Sequence, residues 1–175
     1  MPDTQAGVRL SLASEGSATV STGLPVLDHL IGELVRMGRF RLVLEVAPDG
    51  PDQAAAAAGR VLGGSFAELL SDPAAARAGW AIVPSAEALA LAALERGNDA
   101  GFVSNVEFSD QRVGGLGTDV ASGFLRETAE AARVNLHVRL LEGTDSQHVL
   151  TAIYKAVGAA LGQACRPATT SDEEG

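Results

Sequence analysis

Positive charge, aromatic rings, cysteine and histidine are all scarce in this chain, and each scarcity closes off a class of function. Thirteen Lys and Arg stand against 22 Asp and Glu, a formal net charge of -9. Nucleic acid and anionic membrane surfaces attract proteins through clustered positive charge, so no nucleic acid and no membrane is expected as a partner. The single cysteine, Cys165, excludes an intramolecular disulfide. No apolar run approaches the roughly 20 residues that cross a bilayer. The first residues, MPDTQAG, have neither the basic nor the apolar stretch of a secretory leader. A soluble, cytoplasmic protein is the expectation. Aromatics are only 4% of a chain that is 46% hydrophobic, so the core has to be built from Ala, Val and Leu.

What is present is strongly patterned. GVRLSLAS alternates Val8, Leu10 and Leu12 with polar residues, the mark of a half-buried strand, and GSATVST follows as a second. GLPVLDHLIGELVRMG places Leu27, Leu30, Ile31, Leu34 and Val35 at helical spacing behind Pro25. RFRLVLEVA alternates again, and a long helix is predicted from 53 to about 70, ended by SDP. WAIVPSAEALALAALER is predicted as strand, AGFVSNVEF as strand and RVGGLGTD as loop. A helix from about 119 to 132, the strand VNLHVRLLE and the helix DSQHVLTAIYKAVGAALGQA complete the pattern.

That order is a repeat. Each half runs helix, short turn, amphipathic strand, turn, long Ala-rich helix. A half alone leaves the apolar face of its sheet uncovered, and packing two halves with helices inward buries both faces. The expected fold is α+β: internally duplicated β-β-α-β-α halves, with two sheets sandwiching a four-helix layer. The halves are set at residues 1–77 and 78–166, packed as one globular domain, with an acidic, disordered tail at 167–175.

With these segments in order, the chain resembles the imidazoleglycerol-phosphate dehydratase family of histidine biosynthesis, over roughly residues 3–166. STGLPVLDHL is similar to that family's STGIPFLDHM, VPSAEAL to VPMDEAL, NLHVRLLEG to its TLHIR strand, and HVLTAIYKAVGAAL to HHIIEALFKALGRAL. VEF followed by QRVGGLGTD is similar to VEF followed by RVGTFDTE. The resemblance implies a carbon–oxygen lyase that dehydrates imidazoleglycerol phosphate to imidazole acetol phosphate. It implies manganese held by paired His-His-x-x-Glu motifs at the starts of the two long helices. A His and a Glu three apart share one helix face, and a first-row metal takes imidazole and carboxylate together. It also implies a homo-oligomer of 24 subunits with the metal sites between subunits.

The chain departs from the family at the positions that carry the chemistry. The first metal motif falls on Asp52, Gln53, Ala54, Ala55, Ala56 and Ala57. The second falls on Gln147, His148, Val149, Leu150 and Thr151. The family's LDH histidine is kept as His29, a further histidine position is Met37, and the second half's equivalent is Gly123. By this resemblance the remaining metal ligands are His29 and His148, expected near each other across a subunit boundary, with Asp52 as an oxygen donor. The resemblance assigns phosphate binding to Arg112 and Lys155, while an arginine of the family falls near Asp99 and the tail TTSDEEG lacks its lysine. Asp3, in Asp3-Thr4, stands for the family's Glu-Thr and is the candidate catalytic proton-transfer group. Manganese is expected to be lost or weakly bound.

A plainer reading stands beside each of these residues. Asp28 is an acid at a helix start, favoured by the macrodipole. Arg112 caps a turn, and Lys155 is a solvated helix charge. His137 alternates with Leu136 and Val138 and is a structural histidine. Glu87 occupies an alternating strand as an exposed position. Ala54 to Ala58 is good helix former. Two functions follow. In the first, the chain is a catalytically impaired or inactive relative that keeps fold and assembly, as a structural or regulatory subunit beside an intact dehydratase, with a trimer as the smaller alternative assembly. In the second, it is a working dehydratase or lyase with an unusual metal site.

Overall fold

The computed structural model describes residues 3–169. The strands β1 (Ala6–Leu12) and β2 (Ser17–Ser21), the helix α1 (Pro25–Gly38), the strand β3 (Phe40–Val46) and the helix α2 (Pro51–Leu70) form the first part. The strands β4 (Ala78–Ser85), β5 (Ala88–Arg96), β6 (Gly101–Ser104), β7 (Arg112–Val113) and β8 (Leu116–Gly117) follow, then α3 (Thr118–Ala132), β9 (Val134–Glu142) and α4 (Ser146–Ala164). Of the expected tail, residues 170–175 lie outside the described residues.

One sheet has the order β1-β3-β2 and the other β4-β5-β9-β6. Between them lie four helices. α1 and α2 cover the three-stranded sheet, α3 and α4 cover the four-stranded one, and the layer is knitted by α1 packing on α4 and α2 on α3. This is the expected α+β sandwich. Its interior is aliphatic, as the composition dictates: Leu27, Leu34, Leu42, Leu44, Leu62 and Leu70 are fully buried. Each such side chain contributes roughly 1.5–3 kcal/mol on burial. The few rings are spent inside, with Phe40 edge-on to Phe66 at 5.1 Å and Phe124 stacked on Tyr154 at 5.9 Å. The Tyr154 hydroxyl donates to the Ala121 carbonyl at 2.8 Å, so its burial leaves no polar group orphaned.

The duplication is visible in the backbone. Residues 94 apart, Arg39 and Arg133, close α1 and α3 in the left-handed region at φ 56° and 58°. Where α2 crosses α3, a Cβ at Gly63 would strike the Thr128 carbonyl. Where α4 crosses α1, a Cβ at Gly158 would strike the Leu34 carbonyl. Both helix pairs therefore touch backbone to backbone through a glycine at the same place in the repeat.

Three segments differ from the sequence expectation. WAIVPSAEALALAALER is not one strand but an antiparallel hairpin, with Ala86 at φ 48° in its turn. Nothing in SAEAL carries a glycine, asparagine or proline turn signal, and the apolar alternation runs on through it. RVGGLGTD, expected as a loop, folds as the small β7–β8 hairpin, with Gly114 and Gly115 at positive φ. Of AGFVSNVEF, only Gly101–Ser104 form a strand.

Candidate functional site

Asp145 starts α4 as its N-cap, its Oδ1 accepting from the backbone N–H of Gln147 at 3.0 Å and of His148 at 3.1 Å. One residue on, the buried Ser146 hydroxyl accepts from the Asp110 N–H at 3.1 Å. Thr118 closes the other side, its hydroxyl donating to the Asp110 carbonyl at 3.2 Å. These bonds fasten the segment before α3 against the start of α4. The β7–β8 hairpin is thereby held over the ends of α1 and α4.

The result is a cleft of about 240 Å³, lined by Val26, His29 and Leu30 of α1, Gln147, Leu150 and Thr151 of α4, and the hairpin's Val113 and Gly114. Its mirror in the repeat is a second cleft of about 230 Å³ between α2 and α3. Asp52, Ala55 and Ala56 line it where Gln147, Leu150 and Thr151 line the first, and Gly123 stands where His29 stands. The duplication read in the sequence thus appears as two equivalent clefts at the starts of the two long helices.

Their chemistry differs. The first is apolar with neutral polar tips. Thr151 donates to the Gln147 carbonyl at 2.9 Å. The His29 side chain is 60% exposed, with Nε2 4.0 Å from Glu33, so it stands in water more than in the cleft. The second cleft holds Asp52, Asp119 and Glu127 with Arg126, and Arg60 lies 3.7 Å from Glu127.

His148 turns away from the first cleft. Its Nδ1 lies 2.5 Å from Glu87 Oε2, and Glu87 Oε1 accepts from the Asp145 N–H at 3.2 Å. Glu87 is exposed, as expected, but it sits in the β4–β5 turn and not in a strand. Its carboxyl lies below its ordinary value, first because its own backbone N–H donates to it; loss of water opposes this, and His148 and the Asp145 N–H add to the lowering. The sequence pointed to His148 and missed Glu87, because the turn that carries it left no signal. Within one chain, His29 lines the same cleft as the substituted positions Gln147 and Thr151, which His148 does not line.

The remaining candidates are placed as follows. Lys155 is partly buried, with Nζ 4.0 Å from Glu33, which also binds Arg36 at 2.5 Å. The lysine is therefore an internal ion-pair partner more than a solvated charge. Arg112 bridges its own hairpin, donating to the Gly115 carbonyl at 3.1 Å. Asp3 is exposed ahead of β1 and lines neither cleft. Asp28 accepts from both the N–H and the hydroxyl of Thr22, fixing the approach to α1. His137 points away from the buried Leu136 and Val138 and is half-buried on the outer face of its sheet.

A larger groove of about 570 Å³ lies at the opposite ends of α1 and α4, lined by Met37, Arg39, Trp80 and Arg166 among others. It holds none of the residues singled out for chemistry except Met37. Arg166 is spent there on four backbone carbonyls, those of Ala13, Gly38, Arg39 and Gly162.

A manganese ion takes several oxygen and imidazole ligands together. Among the described residues, no three His, Cys, Asp or Glu side chains gather where they could hold a metal. One imidazole, an amide and a hydroxyl in the first cleft, and carboxylates partnered by arginine in the second, do not make such a donor set.

The family model described as imidazoleglycerol-phosphate dehydratase matches residues 22–161. The imidazoleglycerol-phosphate dehydratase of Desulfitobacterium hafniense is 36% identical over 170 residues, which cover 94% of this chain and 86% of the relative. That of Lacticaseibacillus casei is 32% identical over 163 residues, covering 91% and 84%. The crystal structure of the Staphylococcus aureus dehydratase is similar with a TM-score of 0.86 at 26% identity, covering 93% of this chain and 94% of the other. A structure from Pyrococcus furiosus, at 21% identity, shares the fold with a TM-score of 0.85.

Proposed function

The chain belongs to the imidazoleglycerol-phosphate dehydratase family, and from that premise we propose that it is a non-catalytic or strongly impaired member, a subunit that keeps the family's architecture without its metal-dependent dehydration. The observation that supports this most is the pairing of the two clefts. At their equivalent positions stand Gln147 and Thr151 in one and Asp52, Ala56 and Gly123 in the other. Metal catalysis depends on several ligands holding an ion in a fixed geometry, and it loses most of its rate when they go. His148, the one imidazole left in the two motifs, is bonded to Glu87 instead. The chain's own residues can still hold a small polar group in the first cleft through the His29 ring and the Gln147 amide. Nothing in that donor set supplies a Lewis acid.

On this reading manganese is lost or weakly held, and the candidate ligands His29, His148 and Asp52 are remnants. Arg112 and Lys155 serve their local partners Gly115 and Glu33 more than a phosphate, and Asp3 has no substrate proton to move. The chain works in the cytoplasm as part of a homo-oligomer, a 24-subunit shell or a trimer, or beside an intact dehydratase.

Complementation tests it. Expression in a histidine auxotroph lacking the dehydratase is expected to give no growth without histidine, while an intact family member on the same vector restores it. Growth supported by this chain would establish a working enzyme with an unusual site.

A further inference from the structure

The helix α4 packs on α1 and on β4, and both contacts are made through glycine. A Cβ at Gly162 would strike the Gly38 carbonyl of α1, and one at Gly79 of β4 would strike the Ala160 carbonyl. The groove of about 570 Å³ lies across this three-way junction. Small-molecule sites are clefts of about 300–1,000 Å³, so it is large enough to hold one. Small residues such as Ala78, Ala159 and Gly162 make up much of its lining. Arg39 enters it from the end of α1 and Trp80 from β4.

The charge here is opposite to that of the chain as a whole. The net charge is -9, yet two arginines and no acidic side chain line this groove. The arginines act differently. Arg166 donates to the carbonyls of Gly38, Arg39, Gly162 and Ala13. Three of these belong to the C-terminal ends of α1 and α4, where the helix dipoles are negative, so Arg166 offsets that field. Arg39 is exposed, and among the described residues its guanidinium has no ion pair. It is close enough to Arg166 to repel it. Gln163 Oε1 accepts from the Trp80 backbone N–H at 3.2 Å, which leaves the amide NH2 of Gln163 as a further donor in the lining. The Trp80 indole is 63% exposed, a ring standing in water.

Donors without an acid, beside an exposed aromatic ring and small residues, fit a flat molecule with one negative group. With Arg166 directed to carbonyls, a single guanidinium is left. That matches one carboxylate, taken by two parallel N–H···O bonds, better than a phosphate dianion, which calls for more donors. We propose that this groove binds a small aromatic carboxylate, with the carboxylate on Arg39 and Gln163 and the ring against Trp80. The site lies at the opposite ends of α1 and α4 from the first cleft, and it stands whether or not the clefts hold metal.

Trp80 is the only tryptophan of the chain, so its fluorescence reports on the groove directly. Titration of the whole chain with benzoate should change it saturably, with half-saturation at about 1 mM, the scale for a ligand of so few heavy atoms. Benzamide has the ring without the charge, and acetate has the charge without the ring. Each should bind at least about tenfold more weakly than benzoate, and phenyl phosphate should also bind more weakly. Arg39→Gln should lower the benzoate affinity at least about tenfold. Its circular dichroism should be unchanged, because Arg39 is exposed. Arg9→Gln, outside the groove, should leave benzoate binding as it is. A benzoate response that does not saturate, or one that survives Arg39→Gln, would overturn the site. Phenyl phosphate or benzamide binding as tightly as benzoate would overturn the carboxylate assignment, and acetate doing so would overturn the place of the ring on Trp80.

Discussion

His148 and Glu87 form a hydrogen-bonded pair, with 2.5 Å between Nδ1 and Oε2, that joins the β4–β5 turn to the first turn of α4. The other Glu87 oxygen takes the Asp145 N–H, and Asp145 in turn caps the helix through the N–H groups of Gln147 and His148. The imidazole is thus one member of a closed set of local bonds at the helix start. Its bonded nitrogen is Nδ1, which leaves Nε2 as the lone-pair nitrogen of the neutral ring.

That arrangement predicts a fixed tautomer. In long-range nitrogen–proton NMR at neutral pH, neutral His148 should carry its proton on Nδ1. Glu87→Ala should shift the ring toward the Nε2-protonated form, and Glu87→Asp should not restore the natural spectrum, because the shorter chain falls short of the ring. An unchanged tautomer in Glu87→Ala would show that the pair does not set the ring.

The glycine crossings predict an asymmetric pair of substitutions. Gly158→Ala drives a methyl into the Leu34 carbonyl and should cost about 2–3 kcal/mol in denaturant unfolding, as overpacking does. Gly64→Ala, also in a long helix, meets nothing within 4 Å. It should be neutral or stabilise by up to about 1 kcal/mol, since alanine is the better helix former. Equal effects at the two sites would contradict the backbone-to-backbone packing of α1 and α4.

Cys165 should behave as a buried, inert thiol. Burial pushes it up to about 12, with Arg166 opposing. A thiol reagent at pH 8 should leave the native chain unlabelled over the time it labels the unfolded one. The raised value means the folded state holds the thiol proton more tightly than the unfolded state does. That contribution to stability is complete below about pH 9 and declines as pH rises from about 9 toward 12. A replacement by serine should therefore change the pH dependence of unfolding only in that alkaline window. Rapid labelling at pH 8 under native conditions would show that the α4 terminus opens.

The clefts predict an unequal repair. Because His29 lines one cleft with residues 147 and 151 within one chain, Gln147→His with Thr151→Glu should give that cleft three metal-binding side chains that a turn of the exposed His29 ring brings onto one ion. Zinc binding by calorimetry should appear in the double variant and be absent or far weaker in the natural chain. Gly123→His in the second cleft has room for its Cβ, yet alone it should bind nothing, because Ala56 supplies no ligand and the carboxylates there share the cleft with Arg126 and an Arg60 partner of Glu127. A double variant that binds no better than the natural chain would show that the cleft no longer has the spacing of a metal site.

Much of this was legible in the chain itself. Helical spacing and strand alternation placed all four helices and the strands of the first half. The resemblance to the family placed its paired motif positions on Asp52 and Gln147, and on His29 and Gly123, before any coordinates. What failed to show was set by contacts distant in sequence or by weak turn chemistry. The β4–β5 turn at Ala86 has no residue that favours positive φ, so Glu87 was read into a strand and its bond to His148 went unseen. The distance from His29 to residues 147 and 151 depends on how α1 crosses α4, which is settled by Gly158 against Leu34.

The central claim is that this family member has kept its scaffold and given up its metal. Metal content measured by elemental analysis, on the purified chain after equilibration with manganese and removal of unbound ion, tests it most directly. The account predicts well under one manganese per chain. Two tightly held ions per chain would contradict it.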